Sequence, residues 1–528
     1  MLQMSRLLAV PVTVFLVLLL LIFSRLMNFE LRKDEQLYAA PARLLSDYKL
    51  YSDFFYNHTP GSAWLFHWVM NGIGTDHLLF AARLGVFAGW MVFGVCLIAI
   101  TFRLTRSPAM ATLAVLLIMT NEALLNQTGM TATNNLLPLV ATYVGLGLFV
   151  LGLSNRQFRL LMILASGIII SMAAVFKANA IVFVPVVVAA AFLLPRDVTL
   201  RERLKQVVAP LAVGGILGSI PILYYLAVDP NKFIAHVISF HTGPHLAYWL
   251  AHSGGDEDMV AMSAGSKALL AYGMWFNNAN LLFMFAAIFL SACLLQTTPL
   301  KTLIHRVSWG RIFVVLACVI AALVMGFVPT PGFPQYFTQP LACTPLLLAL
   351  LYAELDAVER QRAQPGIVAI SLVMALAGLP QLIQYAPRLV SPSSWTVERV
   401  HGAGLKISQQ LANAGVSGKI ATLAPIYPLE GGLSVYPVFA TGQFAYRTAE
   451  FTDNNLRKYY RSTSPTEVPA FLAADPPAGI LVGFEARLEA PLVKFAEQNG
   501  YRRIENLGIS DRYGEAVLYI SPAGDRPN

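Results

Sequence analysis

The sequence predicts an α-helical polytopic membrane protein that carries a small α/β domain at its C-terminal end. Three observations lead there. Of 528 residues, 56% are hydrophobic and only 12% are charged, about half the charge that soluble globular chains carry. The apolar residues gather into runs close to the ~20 residues that one helix needs to cross a bilayer, and the mean hydropathy is +0.60. After Pro387 the chain changes character: charges become frequent, and helix-like and strand-like patterns alternate.

Eleven spanning stretches are expected, near residues 7–27, 79–102, 108–125, 132–153, 160–176, 178–194, 207–227, 273–295, 311–328, 337–353 and 366–386. The first is too long for a signal-peptide core and has no small-x-small cleavage site before Asn28, so it is read as a retained span. Orientation follows from Lys and Arg, which stay cytoplasmic near span ends. With the N-terminus inside, fourteen of them fall in inner segments: Arg6, Arg103, Arg106, Arg156, Arg159, Arg196, Arg201, Arg203, Lys205, Lys301, Arg306, Arg311, Arg360 and Arg362. Seven fall in outer loops: Arg32, Lys33, Arg43, Lys49, Lys177, Lys232 and Lys267. An odd span count then puts the C-terminal part outside the cytoplasm. The expected organisation is a membrane module over 1–387, with long outer loops at 28–78 and 228–272, followed by a soluble domain over 388–528.

The +8 net charge is therefore mainly topological. Beyond Pro387, fourteen basic residues face thirteen acidic ones, so no nucleic-acid partner is expected. All four cysteines lie in apolar runs and read as small buried hydrophobes. In the last segment, Val397–Ala414 reads as a helix closed by Gly415 and Pro491–Gln498 as a helix stopped at Asn499-Gly500. Lys419–Ala424, Ile480–Phe484 and Ala516–Ile520 read as strands. The segment has no metal-ligand spacing, Gly-x-Ser-x-Gly or phosphate-cradling loop, so its expected role is a lid or docking platform.

The polar chemistry sits in the outer loops. In the first, Leu37, Ala40, Leu44, Leu45 and Tyr48 share one helical face, which predicts an amphipathic helix at the membrane surface. Asp34 and Glu35 fall in its first turn, where an Asp is ordinarily a cap and a Glu is favoured by the helix dipole. An aromatic-rich stretch, Tyr51 to Gly61, and a short helix, Ser62 to Met70, follow. The second long loop holds His236, His241, His245 and His252, then Asp256-Glu257-Asp258. It lacks an i, i+4 pair with a third ligand of the kind a zincin uses, and a lid over a substrate entrance is expected.

Asp34, Glu35, Tyr38 and Arg43, with the following Tyr-x-Asp-Phe-Phe-Tyr-x-His-x-Pro-Gly, form a pattern that resembles the first periplasmic loop of GT-C membrane glycosyltransferases. The nearest resemblance is to the bacterial branch akin to protein O-mannosyltransferases and the lipid A aminoarabinose transferase. Ala174-Val175-Phe176-Lys177 and Pro334-Gln335-Tyr336-Phe337 extend it over most of the membrane part. The resemblance implies a bacterial inner-membrane enzyme with a periplasmic C-terminal domain. Such an enzyme moves a sugar from a polyprenyl-phosphate donor to an envelope glycan, lipid or protein. Relatives often place a second acid at the start of the fourth span, whereas this chain has Asn134-Asn135 there. That departure leaves a second catalytic carboxylate and a bound divalent metal as open alternatives, with no cofactor firmly implied.

A sugar on a polyprenyl phosphate already has a good leaving group. The protein must neutralise the phosphate and deprotonate the incoming hydroxyl. Asp34 is the expected base, giving inversion by direct attack, and Glu35 is expected to hold the acceptor or orient the loop. Arg43, Lys177 and His58 are the expected phosphate ligands. Tyr38, Tyr56, Tyr336 and Asn134 are expected to line the substrate site, and Arg83 to brace the first loop. Two other classes fit the composition: a lipid-linked sugar transporter or flippase, and a non-catalytic envelope assembly protein of the same fold.

Overall fold

The computed structural model describes residues 2–252, 260–297 and 308–522. The run Asp256 to Asp258 and the inner-loop residues Lys301 and Arg306 lie outside the described residues. Each of the eleven apolar stretches carries helix, but they are not equivalent. Among the described residues seven helices are long and apolar enough to span on their own: Leu8–Asn28, Leu78–Thr105, Leu137–Ser154, Arg159–Phe176, Trp309–Phe327, Pro334–Ala353 and Ala357–Ile383. Two helix pairs reach that length only when each pair is taken together, and both are bent: Leu200–Gly218 with Ile220–Val228 by 60° and Ala264–Trp275 with Ala279–Leu295 by 73°. Pro108–Met119 and Ala178–Leu193 are shorter apolar helices. The chain is a multi-pass membrane protein. Hydropathy reads the length of an apolar run and not backbone direction, so it missed the first bend. That bend falls before Pro221, whose missing N–H cannot continue the preceding turn.

Small residues let the spans approach. A side chain at Gly167 would meet the Leu211 carbonyl oxygen at 2.3 Å, and one at Gly214 would meet that of Leu164 at 2.1 Å. The helices Arg159–Phe176 and Ala209–Gly218 thus cross in backbone contact, as small-residue interfaces do in membranes. The charged turns meet at one end of the bundle, where Arg156 bonds Asp197 at 2.7 Å and Arg311 reaches both Ser154 and Glu354. The first loop, the Lys177 turn, the Tyr336 turn and the C-terminal part gather at the other end.

The first-loop helix, Lys33–Leu44, corrects one expectation. It is not a helix with one open face: Glu35 to Ala42 and Leu44 are buried by protein on all sides, only Arg43 excepted. Its upper face is covered by the C-terminal part, where the Ile426 N–H donates to Gln36 Oε1 at 2.9 Å. Gly442, at φ +59°, also lies against the helix, since a side chain there would come within 3.4 Å of Gln36 Cβ.

In the C-terminal part, strands β1 (Ile420–Thr422), β2 (Gly479–Val482), β3 (Arg502–Ile504) and β6 (Val517–Ile520) form a sheet in the order β1-β2-β6-β3. β1 and β2 run parallel, and β6 is antiparallel to both its neighbours. β4 (Ser510–Asp511) and β5 (Gly514–Glu515) make a separate hairpin. Helices Thr396–Asn413 and Ala486–Gln498 stand where the apolar spacing placed them, each followed by a left-handed glycine, Gly415 or Gly500. β3 escaped the sequence because its exposed Arg502-Arg503 pair masks an edge strand.

This part is fastened to the bundle by a buried carboxylate. Glu430 accepts the Leu79 and Leu78 N–H groups at 2.7 and 3.1 Å and pairs with His401 Nδ1 at 2.9 Å. It therefore caps the span Leu78–Thr105, whose own N-cap residue, His77, supplies no side-chain acceptor. Replacing Glu430 by Ala strands two N–H donors, and it should lower stability by about 1–3 kcal/mol. Thermal unfolding of the detergent-solubilised protein reads the loss, with earlier proteolytic release of the C-terminal part.

Candidate active site

The site is built on the first turn of the helix Lys33–Leu44. Two carboxylates stand side by side there and meet different fates. Glu35, at the third position, accepts the Arg32 N–H at 3.1 Å and so serves as the cap. The same carboxylate takes Arg83 Nε and Nη2 at 2.9 and 2.8 Å and the Ala132 N–H at 2.9 Å. Arg83 completes its fork on the Leu26 and Phe29 carbonyls at 2.8 Å each. Both side chains are wholly buried. Glu35 is thereby committed to structure, with Arg83 as its brace.

Asp34 is left free of the capping role. Its Oδ2 accepts Gln127 Nε2 at 2.6 Å, and the residue is only partly buried. Gln127 lies in the irregular turn Leu124–Thr128, where Asn126 breaks the helix at φ −104°, ψ −158°. Burial raises the Asp34 carboxyl above its usual range, and Glu35 adds to the rise. Arg447, the Gln127 hydrogen bond and Lys177 pull the other way. A carboxylate so poised suits proton abstraction near neutral pH.

Lys177 follows the span Arg159–Phe176 in an extended conformation, φ −150°, ψ 120°. Its Nζ donates to Asn135 Oδ1 at 2.7 Å and lies 5.2 Å from the centre of the Tyr336 ring. Burial lowers its ammonium to about 8, with Asp34 opposing the shift. Gly61 sets this corner, because a side chain there would meet the Val175 carbonyl at 2.6 Å. The Pro-Gly turn is thus pressed against the backbone two residues before Lys177.

An aromatic wall runs away from Asp34. Tyr38 stacks on His58 with ring centres 5.1 Å apart, Tyr56 meets both rings edge-on, and His58 lies 5.5 Å from His241 and His241 5.7 Å from His245. Burial holds His58, His241 and His245 below the usual imidazole range, so the row is neutral at pH 7. His241 Nε2 donates to the Asn57 carbonyl at 2.8 Å, which leaves Nδ1 as its acceptor. Arg447 flanks the far end, over the rings of Tyr248 and Trp249 at 5.1 Å.

The structure therefore brings together Asp34, Tyr38, Tyr56, His58, Lys177 and Tyr336, with Asn134 next to the lysine's partner Asn135. Arg43 stands apart. Nine residues beyond Asp34, it projects from the opposite side of the helix, roughly 13 Å along the axis, and it pairs with Asp47 at 3.2 Å. The expected lid, as far as it is described, is helical over Pro230–Ile234 and Pro244–His252 and tied to the first loop through His241. No group of three His, Cys, Asp or Glu set to hold a metal occurs among the described residues. Sequence reasoning missed Gln127, which bonds Asp34, Arg447, which acts on it electrostatically, and His241 and His245 as the continuation of the row from His58. The histidines had been noted as a cluster, but Gln127 sits in a helix break and Arg447 in a distant segment, and neither carries a motif.

The two carboxylates respond oppositely to neutralisation. Glu35→Gln breaks a fully buried ion pair and should destabilise by about 3–5 kcal/mol. Asp34→Asn should leave the melting temperature unchanged or raised. The Asp34 folded-state pKa lies above its unfolded value, so the group costs the fold stability as pH rises from the unfolded pKa through the folded one, and Asn removes that cost. Thermal unfolding of both variants at neutral pH checks the contrast.

No family model and no curated protein matches this chain. Among solved structures, ArnT from Cupriavidus metallidurans bound to undecaprenyl phosphate aligns over 98% of this chain and 99% of its own, with a TM-score of 0.61 and 13% identity. The apo state of the same protein aligns equally well, over the same shares with the same score and identity. An Archaeoglobus fulgidus oligosaccharyltransferase in the apo form aligns more loosely, at TM-score 0.48 and 11% identity over 90% of this chain and 70% of that one. The alignment with ArnT spans nearly the whole of both chains, and the chain has the GT-C fold.

Proposed function

We propose that this protein is a membrane glycosyltransferase that moves a sugar from a polyprenyl-phosphate donor to an acceptor of the cell envelope. The reaction takes place at the periplasmic face of a bacterial inner membrane. The observation that carries the reading is the pairing, at the outer end of the bundle, of a raised carboxyl with a buried lysine that no carboxylate among the described residues contacts directly. A fold shared with a protein that binds undecaprenyl phosphate supports it.

In this reading Lys177 and Arg447 receive the donor phosphate, the first as a compact point charge and the second as a fork. Arg447 takes the part that Arg43 is too far round the helix to play. His58, being neutral, donates or accepts a hydrogen bond there and adds no charge. Asp34 takes the proton of the acceptor hydroxyl as its oxygen attacks the anomeric carbon. The bond from that carbon to the phosphate oxygen breaks, and polyprenyl phosphate leaves with its electron pair. One displacement inverts the centre. Tyr38, Tyr56, Tyr336 and Asn134 line the path. Gln127, donating to Asp34, keeps one carboxylate oxygen occupied and aims the other. The two bent spans, a feature of transporters, carry Ser219 and Asn277-Asn278 at their breaks and no charge, which favours an enzyme.

Asp34→Asn should abolish transfer while retaining binding of undecaprenyl phosphate, read by mass spectrometry of envelope glycoconjugates and by ligand-induced thermal shift. Retained transfer would rule Asp34 out as base. The pH profile of kcat/KM should be bell-shaped. Activity rises as Asp34 deprotonates, above the ordinary carboxylate range, and falls above about 8 as Lys177 loses its proton. Lys177→Arg should move the alkaline limb upward, and an unmoved limb would remove Lys177 from the phosphate site.

A further inference from the structure

Buried polar atoms normally find partners, and those that do not mark places where a bound group completes the bonding. Among the described residues several such atoms belong to segments that converge on Lys177. Thr59 Oγ1 and Ser62 Oγ flank Gly61, which touches the Val175 carbonyl. Asn134 Nδ2 is next in the chain to Asn135, the lysine's acceptor. Gln339 is 3% exposed, yet neither end of its amide has a partner.

Gln339 is placed by two independent features. It lies three residues after Tyr336 along consecutive 3-10 turns, Pro334–Phe337 and Gln339–Ala342, and side chains three apart share a face in that geometry. Tyr336 is the ring beneath the Lys177 ammonium. The Gln339–Ala342 turn also packs on the helix Leu137–Ser154, which begins just after Asn134 and Asn135. The amide therefore belongs to the chain segment that carries the ring beside the ammonium, and its turn packs on the helix that follows Asn134 and Asn135.

We propose that Gln339, with Asn134, Thr59 and Ser62, reads the hydroxyl groups of the sugar carried by the polyprenyl phosphate, and that this sugar is uncharged. An amide presents a donor and an acceptor side by side, which matches two neighbouring ring hydroxyls, each able to give and take a hydrogen bond. The four groups carry no charge, so an ammonium or carboxylate at the ring positions they face would find no counter-charge among them. Without ligand an unmet buried amide weakens the fold; with the sugar in place the same amide discriminates, because a ring lacking the matching hydroxyl leaves it unpaired.

The inference rests on the glycosyltransferase reading, and the test separates the two. Gln339→Met keeps the shape and removes the polar atoms; Lys177→Ala removes the phosphate contact. The probe is undecaprenyl phosphate, which has no sugar, and transfer is read in cells from the mass added to envelope glycoconjugates. The Gln339→Met protein should melt no lower than the unmodified one and bind undecaprenyl phosphate within about twofold of it. Its transfer should fall by at least about tenfold, or add a different mass. Lys177→Ala should lose the lipid itself. Full transfer of the same sugar by Gln339→Met, loss of lipid binding equal to that of Lys177→Ala, or a charged sugar in the product would each overturn the inference alone. An unmodified protein that binds no undecaprenyl phosphate and whose deletion leaves the envelope unchanged would overturn the underlying reading as well.

Discussion

The buried pair of Glu35 and Arg83 is the interaction on which the rest of this structure depends. Two full charges sealed from solvent are tolerable only when every donor and acceptor is used, and here they nearly are. The carboxylate holds the guanidinium fork, the Arg32 N–H and the Ala132 N–H, while the guanidinium also holds the last carbonyls of the first span. One contact thus locks together the end of the first span, the loop helix, the second span and the irregular segment before the fourth. Because Glu35 takes the cap, its neighbour is released to bond Gln127, within the electrostatic reach of Lys177 and Arg447. A single carboxylate at this position would have had to choose between holding the fold and doing chemistry.

The same division of labour extends to the C-terminal part. Glu430 caps the second span from above, Gln36 receives the Ile426 N–H, and Lys33 pairs with Glu485. These contacts cover the loop helix and deliver Arg447 to a carboxylate more than four hundred residues away in sequence. A domain with no motif of its own shapes the site by what it buries and by one cation. Its sequence reads as a platform because nothing in its composition records what lies beneath it.

What the sequence disclosed follows from what physical patterns encode. Apolar length marked a helix at each of the eleven stretches, although among the described residues only seven, or nine with the bent pairs, are long enough to span, and Gly415 and Gly500 marked the helix ends they close. The acidic pair after the first span pointed to the candidate site, because charge next to a membrane is costly and its position therefore informative. Two other features were hidden. The loop helix looked amphipathic because its polar residues are polar by chemistry, yet they meet protein instead of water. Arg43 looked like a phosphate ligand because spacing along a helix gives distance but not which face a neighbour will cover. Gln127 and Gln339 are uncharged amides in irregular turns, and their importance lies in hydrogen bonds made or unmade, which no periodicity announces.

The most direct measurement is an electron cryomicroscopy structure of the full-length protein in lipid nanodiscs with undecaprenyl phosphate. The account predicts phosphate density in contact with the Lys177 ammonium, on the side of Tyr336, with the Asp34 carboxylate facing the phosphate and the prenyl chain leaving between spans. Density for the head group elsewhere on the bundle, with Lys177 still bound only to Asn135, would contradict it.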